Sequence, residues 1–128
     1  MIINVSVMVR KNVIIAEPDY IVVPWRRIAE IVWTLRDSPG WRFPNVNDGI
    51  VFKAGGGGNS PFVGRLISMN NDRISLIDLN NHPGSVVNRM RTIPGPKWFK
   101  YEITLVKRKG GRRAGQLVLD PTIENQGC

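Results

Sequence analysis

Along the first ten residues, Ile3, Val5, Val7 and Val9 alternate with Asn4, Ser6, Met8 and Arg10. This is the period-2 signature of a strand with one buried face. Asn12 to Glu17 continues or bends that strand until Glu17-Pro18-Asp19 turns the chain, and Tyr20 to Val23 is a second short β-rich run closed by Pro24. From Trp25 to Leu35 two periods compete. Trp25, Ile28, Ile31, Val32 and Leu35 fall at helical spacing, with Pro24 where a helix would begin. At period 2, Ala29, Ile31, Trp33 and Leu35 share one face, and the crowding of β-branched and aromatic residues favours this strand reading.

Ser38-Pro-Gly40 signals a turn, followed by Trp41-Arg-Phe43, Pro44, a polar turn from Asn45 to Gly49, and the run Ile50-Val-Phe52. Gly55 to Gly58 lie in a loop from Lys53 to Pro61. Phe62 to Met69 is expected to be a strand with a bulge at Gly64, Asn70 to Asp72 a hairpin turn, and Arg73 to Leu79 the next strand. Asn80 to Gly84 turns again, and Val86 to Ile93 is weakly patterned. The clearest alternation runs from Trp98 to Val106, with Phe99, Tyr101, Ile103 and Leu105 on one face and Trp98, Lys100, Glu102 and Thr104 on the other. Gln116 to Leu119 returns beside it after a turn at Gly110-Gly111, Asp120-Pro121 ends it, and Thr122 to Cys128 is a tail. About seven to nine short strands punctuated by Gly, Pro, Asn and Asp predict an all-β sandwich or barrel, with room for one short helix. A chain of 128 residues suits one core, so residues 1–125 are assigned to a single domain and 126–128 to its tail.

Several of these segments also carry a resemblance. Glu30-Ile-Val-Trp33-Thr-Leu, Trp41-Arg-Phe43, Gly49-Ile-Val-Phe52, Ile77-Asp78-Leu-Asn80, Phe99-Lys-Tyr101-Glu-Ile103 and Leu119-Asp-Pro-Thr-Ile-Glu-Asn125 together resemble small uncharacterised bacterial domains with a cupredoxin-like β-sandwich fold. The likeness spans residues 28 to 125, and its most particular part is the closing Asp120-Pro-x-Ile-x-Asn125 motif. It implies an antiparallel sandwich with cupredoxin-like or immunoglobulin-like Greek-key connections, and says little about activity. Copper-binding members of that fold use two His, one Cys and usually a Met, because imidazole and thiolate suit copper. Here there is one His, His82, and one Cys, Cys128. These 128 residues cannot by themselves complete such a site, so no cofactor and no metal are expected.

Charge adds the main functional hint. The net charge is +8, and it is lopsided: residues 1 to 64 hold seven basic and five acidic side chains, residues 65 to 128 eleven and five. Lys107-Arg108-Lys109-Gly-Gly-Arg112-Arg113 is densest, with five cations in seven residues at an expected hairpin tip. Such a tip can track a phosphate backbone or an acidic protein or membrane surface. The same charges also serve solubility and block edge-to-edge pairing. Lys97, Lys100, Arg89 and Arg91 are candidates to extend the patch. Trp98 beside Lys100 resembles the aromatic and basic mixture of single-strand binding surfaces, while Phe99 and Tyr101 alternate onto the apolar face.

The remaining chemistry is sparse. Gly55, Gly56, Gly57 and Gly58 beside Lys53 could form an anion nest, but Asn59-Ser60-Pro61 replaces the Gly-Lys-Ser/Thr of a phosphate loop, and a simple loop explains them equally. His82 has no partner identifiable from spacing, and Asp78 is expected to cap a turn. No catalytic residue is assigned. The chain starts without a basic segment ahead of an apolar block, and no window approaches the ~18 apolar residues of a membrane helix, so a cytoplasmic protein is expected. The expected function is a non-enzymatic interaction module, a homo-oligomer that binds an acidic protein partner through loops and the basic hairpin. Nucleic acid is the alternative partner, and a metal protein or enzyme with a site shared across an oligomer interface is a second alternative.

Overall fold

In the computed structural model, residues 1–53, 60–80, 97–109 and 112–126 are described. The turn containing His82, the stretch with Arg89 and Arg91, the four glycines at 55–58 and the Gly110-Gly111 tip lie outside them. The strands, in chain order, are β1 (Ile2–Arg10), β2 (Val13–Glu17), β3 (Tyr20–Val23), β4 (Ala29–Leu35), β5 (Trp41–Arg42), β6 (Ile50–Phe52), β7 (Phe62–Ile67), β8 (Arg73–Asp78), β9 (Lys97–Lys109), β10 (Arg112–Leu119) and β11 (Thr122–Asn125). One short helix, α1 (Val46–Gly49), precedes β6. The expected all-β sandwich is therefore present, with eleven strands among the described residues where about seven to nine were expected. No helix among those residues is long and apolar enough to cross a membrane.

The strand reading of 29–35 holds because burial follows period 2: Ala29, Ile31, Trp33 and Leu35 are buried, whereas Ile28 and Trp25, which a helix would place on the same stripe, are exposed. The helix sits instead where a polar turn was expected. Asn45 Oδ1 accepts from the backbone N–H groups of Asn47 at 2.9 Å and Asp48 at 2.7 Å, which satisfies donors left open at a helix start. Gly49 closes the turn where no side chain fits, since a Cβ there would lie 2.5 Å from Ile74 Cδ1 and 3.3 Å from Phe43 Cβ. The β1–β2 hairpin turns on Lys11 and Asn12, both at positive φ (52° and 60°), the two-residue geometry that matches the strand twist. The expected bulge in β7 is present, with Gly64 at φ 66° and a register shift between Val63 and Leu66.

The first sheet runs β2-β1-β4-β8-β7, and the second is built on β9. Along one edge of β9 lie β10 and then β11; along the other lie β5 and β6. Two pairings are parallel, β1 with β4 and β3 with β11, so both sheets are mixed and the purely antiparallel arrangement does not hold. Thr122 to Asn125, expected as tail, is a strand paired on both sides. A four-residue strand is too short for alternation to announce it.

Val5, Val7, Ile14, Ile31, Trp33, Ile74 and Leu76 from the first sheet meet Ile21, Ile50, Tyr101, Ile103, Leu105 and Ile123 from the second in one buried cluster. Trp33 and Tyr101 are both fully buried; the indole Nε1 donates to the Tyr101 hydroxyl at 3.2 Å, with ring centroids 5.5 Å apart. Phe62 of the first sheet stacks on Phe52 of the second at 3.9 Å and meets Phe99 edge-on at 4.9 Å. Burial pushes the Tyr101 hydroxyl above the usual tyrosine range, the Trp33 N–H partly offsets this, and the charge of Asp19 raises it further.

Two outcomes follow from this contact. Tyr101→Phe leaves a buried indole N–H without its acceptor, and Trp33→Phe removes the donor and leaves a void. Each should lower stability by about 1–3 kcal/mol in urea denaturation, and the double variant by less than the sum. A tyrosine whose folded pKa is raised contributes stability below its unfolded pKa of about 10 and loses it as pH rises further. Stability should therefore fall at alkaline pH, with Tyr101 ionising, as tyrosinate absorbance, only as the chain unfolds.

Candidate functional site

All five hairpin cations lie on strands β9 and β10. Arg112 pairs with Lys109 and Arg113 with Arg108 before a register shift, after which Gly115 pairs with Lys107. All five side chains are exposed. The same end of the sandwich receives cations from two distant segments. The Ser38 Oγ accepts from the Val9 N–H at 2.7 Å, and the Arg36 N–H donates to the Val7 carbonyl at 2.7 Å, tying the 36–42 loop to the end of β1. The Arg108 N–H donates to the Gly40 carbonyl at 3.2 Å, and Trp41 pairs with Lys107, tying the same loop to the end of β9. Across the gap between the sheets, β10 packs beside β2.

These links gather Arg10 and Lys11 of the first hairpin, Arg36 and Arg42 of the loop, and Lys107, Arg108, Lys109, Arg112 and Arg113 of the second hairpin. Nine of the eighteen basic residues thus stand at this end, where Asp37 and Asp72 line a cleft. That cleft is shallow, about 250 Å³, and is lined by Leu35, Asp37, Ser38, Pro39, Arg42 and Asp72. Lys107 Nζ lies over the face of Trp41, 5.9 Å from its centroid, which seats the base of the hairpin against an otherwise buried ring.

The other sequence candidates stand apart from this end. Lys100 lies seven residues before Lys107 on β9, about 23 Å along an extended strand, and its Nζ donates to Thr122 Oγ1 at 2.8 Å. Trp98 is farther still, exposed, with its Nε1 donating to the Tyr20 hydroxyl at 2.8 Å and to Glu124 Oε1 at 3.2 Å. Lys97 and Lys100 therefore do not extend the patch. Lys53 is engaged by Asp120 Oδ2 at 2.9 Å and Glu102 Oε1 at 3.5 Å. The Asp120 hydrogen bond is the main cause holding its ammonium above the ordinary range, and burial offsets part of the rise. Among the described residues that charge is paired with carboxylates, and the glycines of the candidate loop lie outside the described residues.

Asp78 is fully buried at the opposite end of the sandwich from the cations. Its Oδ1 accepts from the Asn80 N–H at 2.8 Å, the turn-capping role expected for it, and from Asn125 Nδ2 at 3.0 Å. Asn80 Nδ2 in turn donates to the Pro24 carbonyl at 2.6 Å. Sequence reading missed this joint, and it missed Arg10, Lys11, Arg36 and Arg42. The Lys11-Asn12 turn was missed because 12–17 was expected to continue or bend the first strand, whereas Val13–Glu17 folds back as a separate antiparallel strand, and which other tips share its end depends on sheet order. Among the described residues, no three His, Cys, Asp or Glu side chains group as metal ligands would.

A comparison with protein-family models finds no match for this chain, and a comparison with curated proteins finds none either.

The two ends should separate by mutation. Asn125→Ala removes a buried donor from a carboxylate and should lower stability by about 1–3 kcal/mol. Arg112→Ser with Arg113→Ser alters exposed side chains and should leave the unfolding free energy within about 0.5 kcal/mol of the parent. Thermal denaturation followed by circular dichroism reads both.

Proposed function

We propose that this chain is a non-enzymatic interaction module that seats an acidic macromolecule on the cationic end of its sandwich. The supporting observation is the convergence of nine cations from three segments far apart in sequence around a cleft lined by Asp37 and Asp72. A solvated hairpin tip accounts for its own five charges. It gives no reason for the 36–42 loop and the β1–β2 turn to deliver four more to the same place. A concentrated field of one sign raises the encounter rate and affinity for a partner of the opposite sign.

Within that reading, one observation favours nucleic acid over an acidic protein. Six of the nine cations are arginines, whose planar fork matches a phosphate with two parallel hydrogen bonds. The ends of the hairpins carry no exposed aromatic side chain among the described residues, so contact through the phosphate backbone is the mode this end supports. The cupredoxin-like kinship implied by the resemblance belongs to the same proposal, supported by the two-sheet sandwich.

Binding to labelled duplex DNA, RNA and polyglutamate across a salt series tests this. Affinity for at least one should fall as salt rises, by a log–log slope of about 0.9 per phosphate neutralised for duplex DNA. Arg112→Ser with Arg113→Ser should shallow that slope by about two, and Arg10→Ser with Lys11→Ser should weaken binding as well. Binding absent at low salt, or indifferent to both pairs, would overturn the proposal. Preference for polyglutamate would assign the end to an acidic protein.

A further inference from the structure

The outer face of the second sheet, at the far end of β9 from the cations, has a different chemistry. Trp98 is 57% exposed and Tyr20 46%, yet neither ring is loose. The indole Nε1 donates to the Tyr20 hydroxyl at 2.8 Å and to Glu124 Oε1 at 3.2 Å, while the Tyr20 hydroxyl donates to the same Glu124 oxygen at 2.5 Å. That hydrogen bond to Glu124 is the main cause raising the Tyr20 hydroxyl above its ordinary range. Strand register fixes the three residues, because Glu124 pairs with Trp98 on one side and Val22 on the other, and Thr122 pairs with Lys100 and Tyr20. The rotamer entropy that an exposed indole would lose on binding is therefore already lost.

Beside Tyr20 opens a cleft of about 240 Å³ lined by Asp19, Tyr20, Leu119, Asp120, Pro121 and Thr122. Its polar groups are two carboxylates and two hydroxyls. Across this face the described cations are Lys53, held by Asp120 and Glu102, and Lys100, held by the Thr122 hydroxyl. Against them stand Asp19, Glu102, Asp120 and Glu124. A chain of net charge +8 thus presents a locally acidic patch around its most exposed tryptophan.

We infer that this face binds a neutral glycan chain, with one pyranose ring lying on Trp98 beside Tyr20 and a following sugar placing its hydroxyls in the cleft of Asp19, Asp120 and Thr122. The CH face of a sugar ring is apolar and flat, and its rim of hydroxyls donates to carboxylates. A fixed exposed indole beside paired carboxylates offers the matching surfaces. The local charge disfavours a phosphate backbone. Size disfavours a protein partner: four strands at about 4.8 Å spacing, over five residues of β9, present roughly 300 Å² in projection, well under the ~800 Å² each partner of a stable complex buries. This site goes beyond the cationic end and does not depend on it.

Affinity electrophoresis of the whole chain, run toward the cathode through gels containing β-glucan, xyloglucan, glucomannan or arabinoxylan, tests the inference. At least one of these neutral polymers should retard the protein. Trp98→Ala should weaken retardation about tenfold or more, Trp98→Tyr should retain part of it, and Tyr20→Phe, which removes one of the two acceptors holding the indole while keeping both rings, should weaken it a few-fold. Arg112→Ser with Arg113→Ser should leave it unchanged. Absence of retardation by every neutral polymer overturns the proposal, as does equal retardation of Trp98→Ala. Retardation by polygalacturonate alone, lost with Arg112 and Arg113, overturns it in favour of the cationic end. A dimer in light scattering that Trp98→Ala dissociates, without glycan retardation, overturns it in favour of a second copy of the chain.

Discussion

The hydrogen bond from the Trp33 indole to the Tyr101 hydroxyl joins the two strands on which everything else is registered. Trp33 lies on β4, which sits between β1 and β8 in the first sheet. Tyr101 lies on β9, to which β5, β6, β10 and β11 all pair. Neither polar atom has water available, so each needs the other, and a shift of one sheet along the other would leave both unsatisfied. Apolar packing alone tolerates many registers. A directional bond between two fully buried rings selects one, and with it decides which ends of the two sheets coincide.

That alignment divides β9 into two working halves. At its far end the strand runs beyond the core with Lys107, Arg108 and Lys109 exposed, beside the loop and hairpin that add four more cations. At its start the same strand carries Trp98, Lys100 and Glu102 on its outer face, where carboxylates outnumber cations and both lysines are already engaged. At physiological ionic strength charges screen each other beyond about 8 Å. The two halves, some 23 Å apart along the strand, therefore act as separate fields despite sharing one backbone. Net charge describes only their sum.

What the sequence revealed and what it hid divide along the reach of each signal. Alternation is local, and it located β1, β4, β9 and the bulge at Gly64, because one side of each strand faces the core. The helical pattern over 25–35 failed for the same reason: Ile28 and Trp25 have no core to meet. Helix α1 is a single turn made by the Asn45 cap and the space beneath Gly49, so it leaves no periodicity to detect. The parallel pairings of β1 with β4 and β3 with β11 join segments with other strands between them, and no short-range pattern encodes that. The candidate site divides likewise. The hairpin at 107–113 was legible as a charge run, whereas its union with Arg10, Lys11, Arg36 and Arg42 required knowing that the 36–42 loop bridges both sheets.

The closing motif shows how one short strand serves several of these demands. In β11, Ile123 enters the core, and the Asn125 side-chain amide reaches inward to donate to the buried Asp78, which also accepts from the Asn80 backbone N–H. On the opposite face Glu124 holds Trp98 and Tyr20, and Thr122, itself mostly buried, accepts from Lys100. Period 2 makes this division unavoidable once β11 pairs with β9 on one side and β3 on the other. The residues of the Asp120-Pro-x-Ile-x-Asn125 motif thus split between roles: Ile123 and Asn125 close the scaffold, while Asp120 and Glu124 shape the outer face. The inward residues build the fold. The chemistry of the face lies with the outward ones, and the motif alone does not specify all of them.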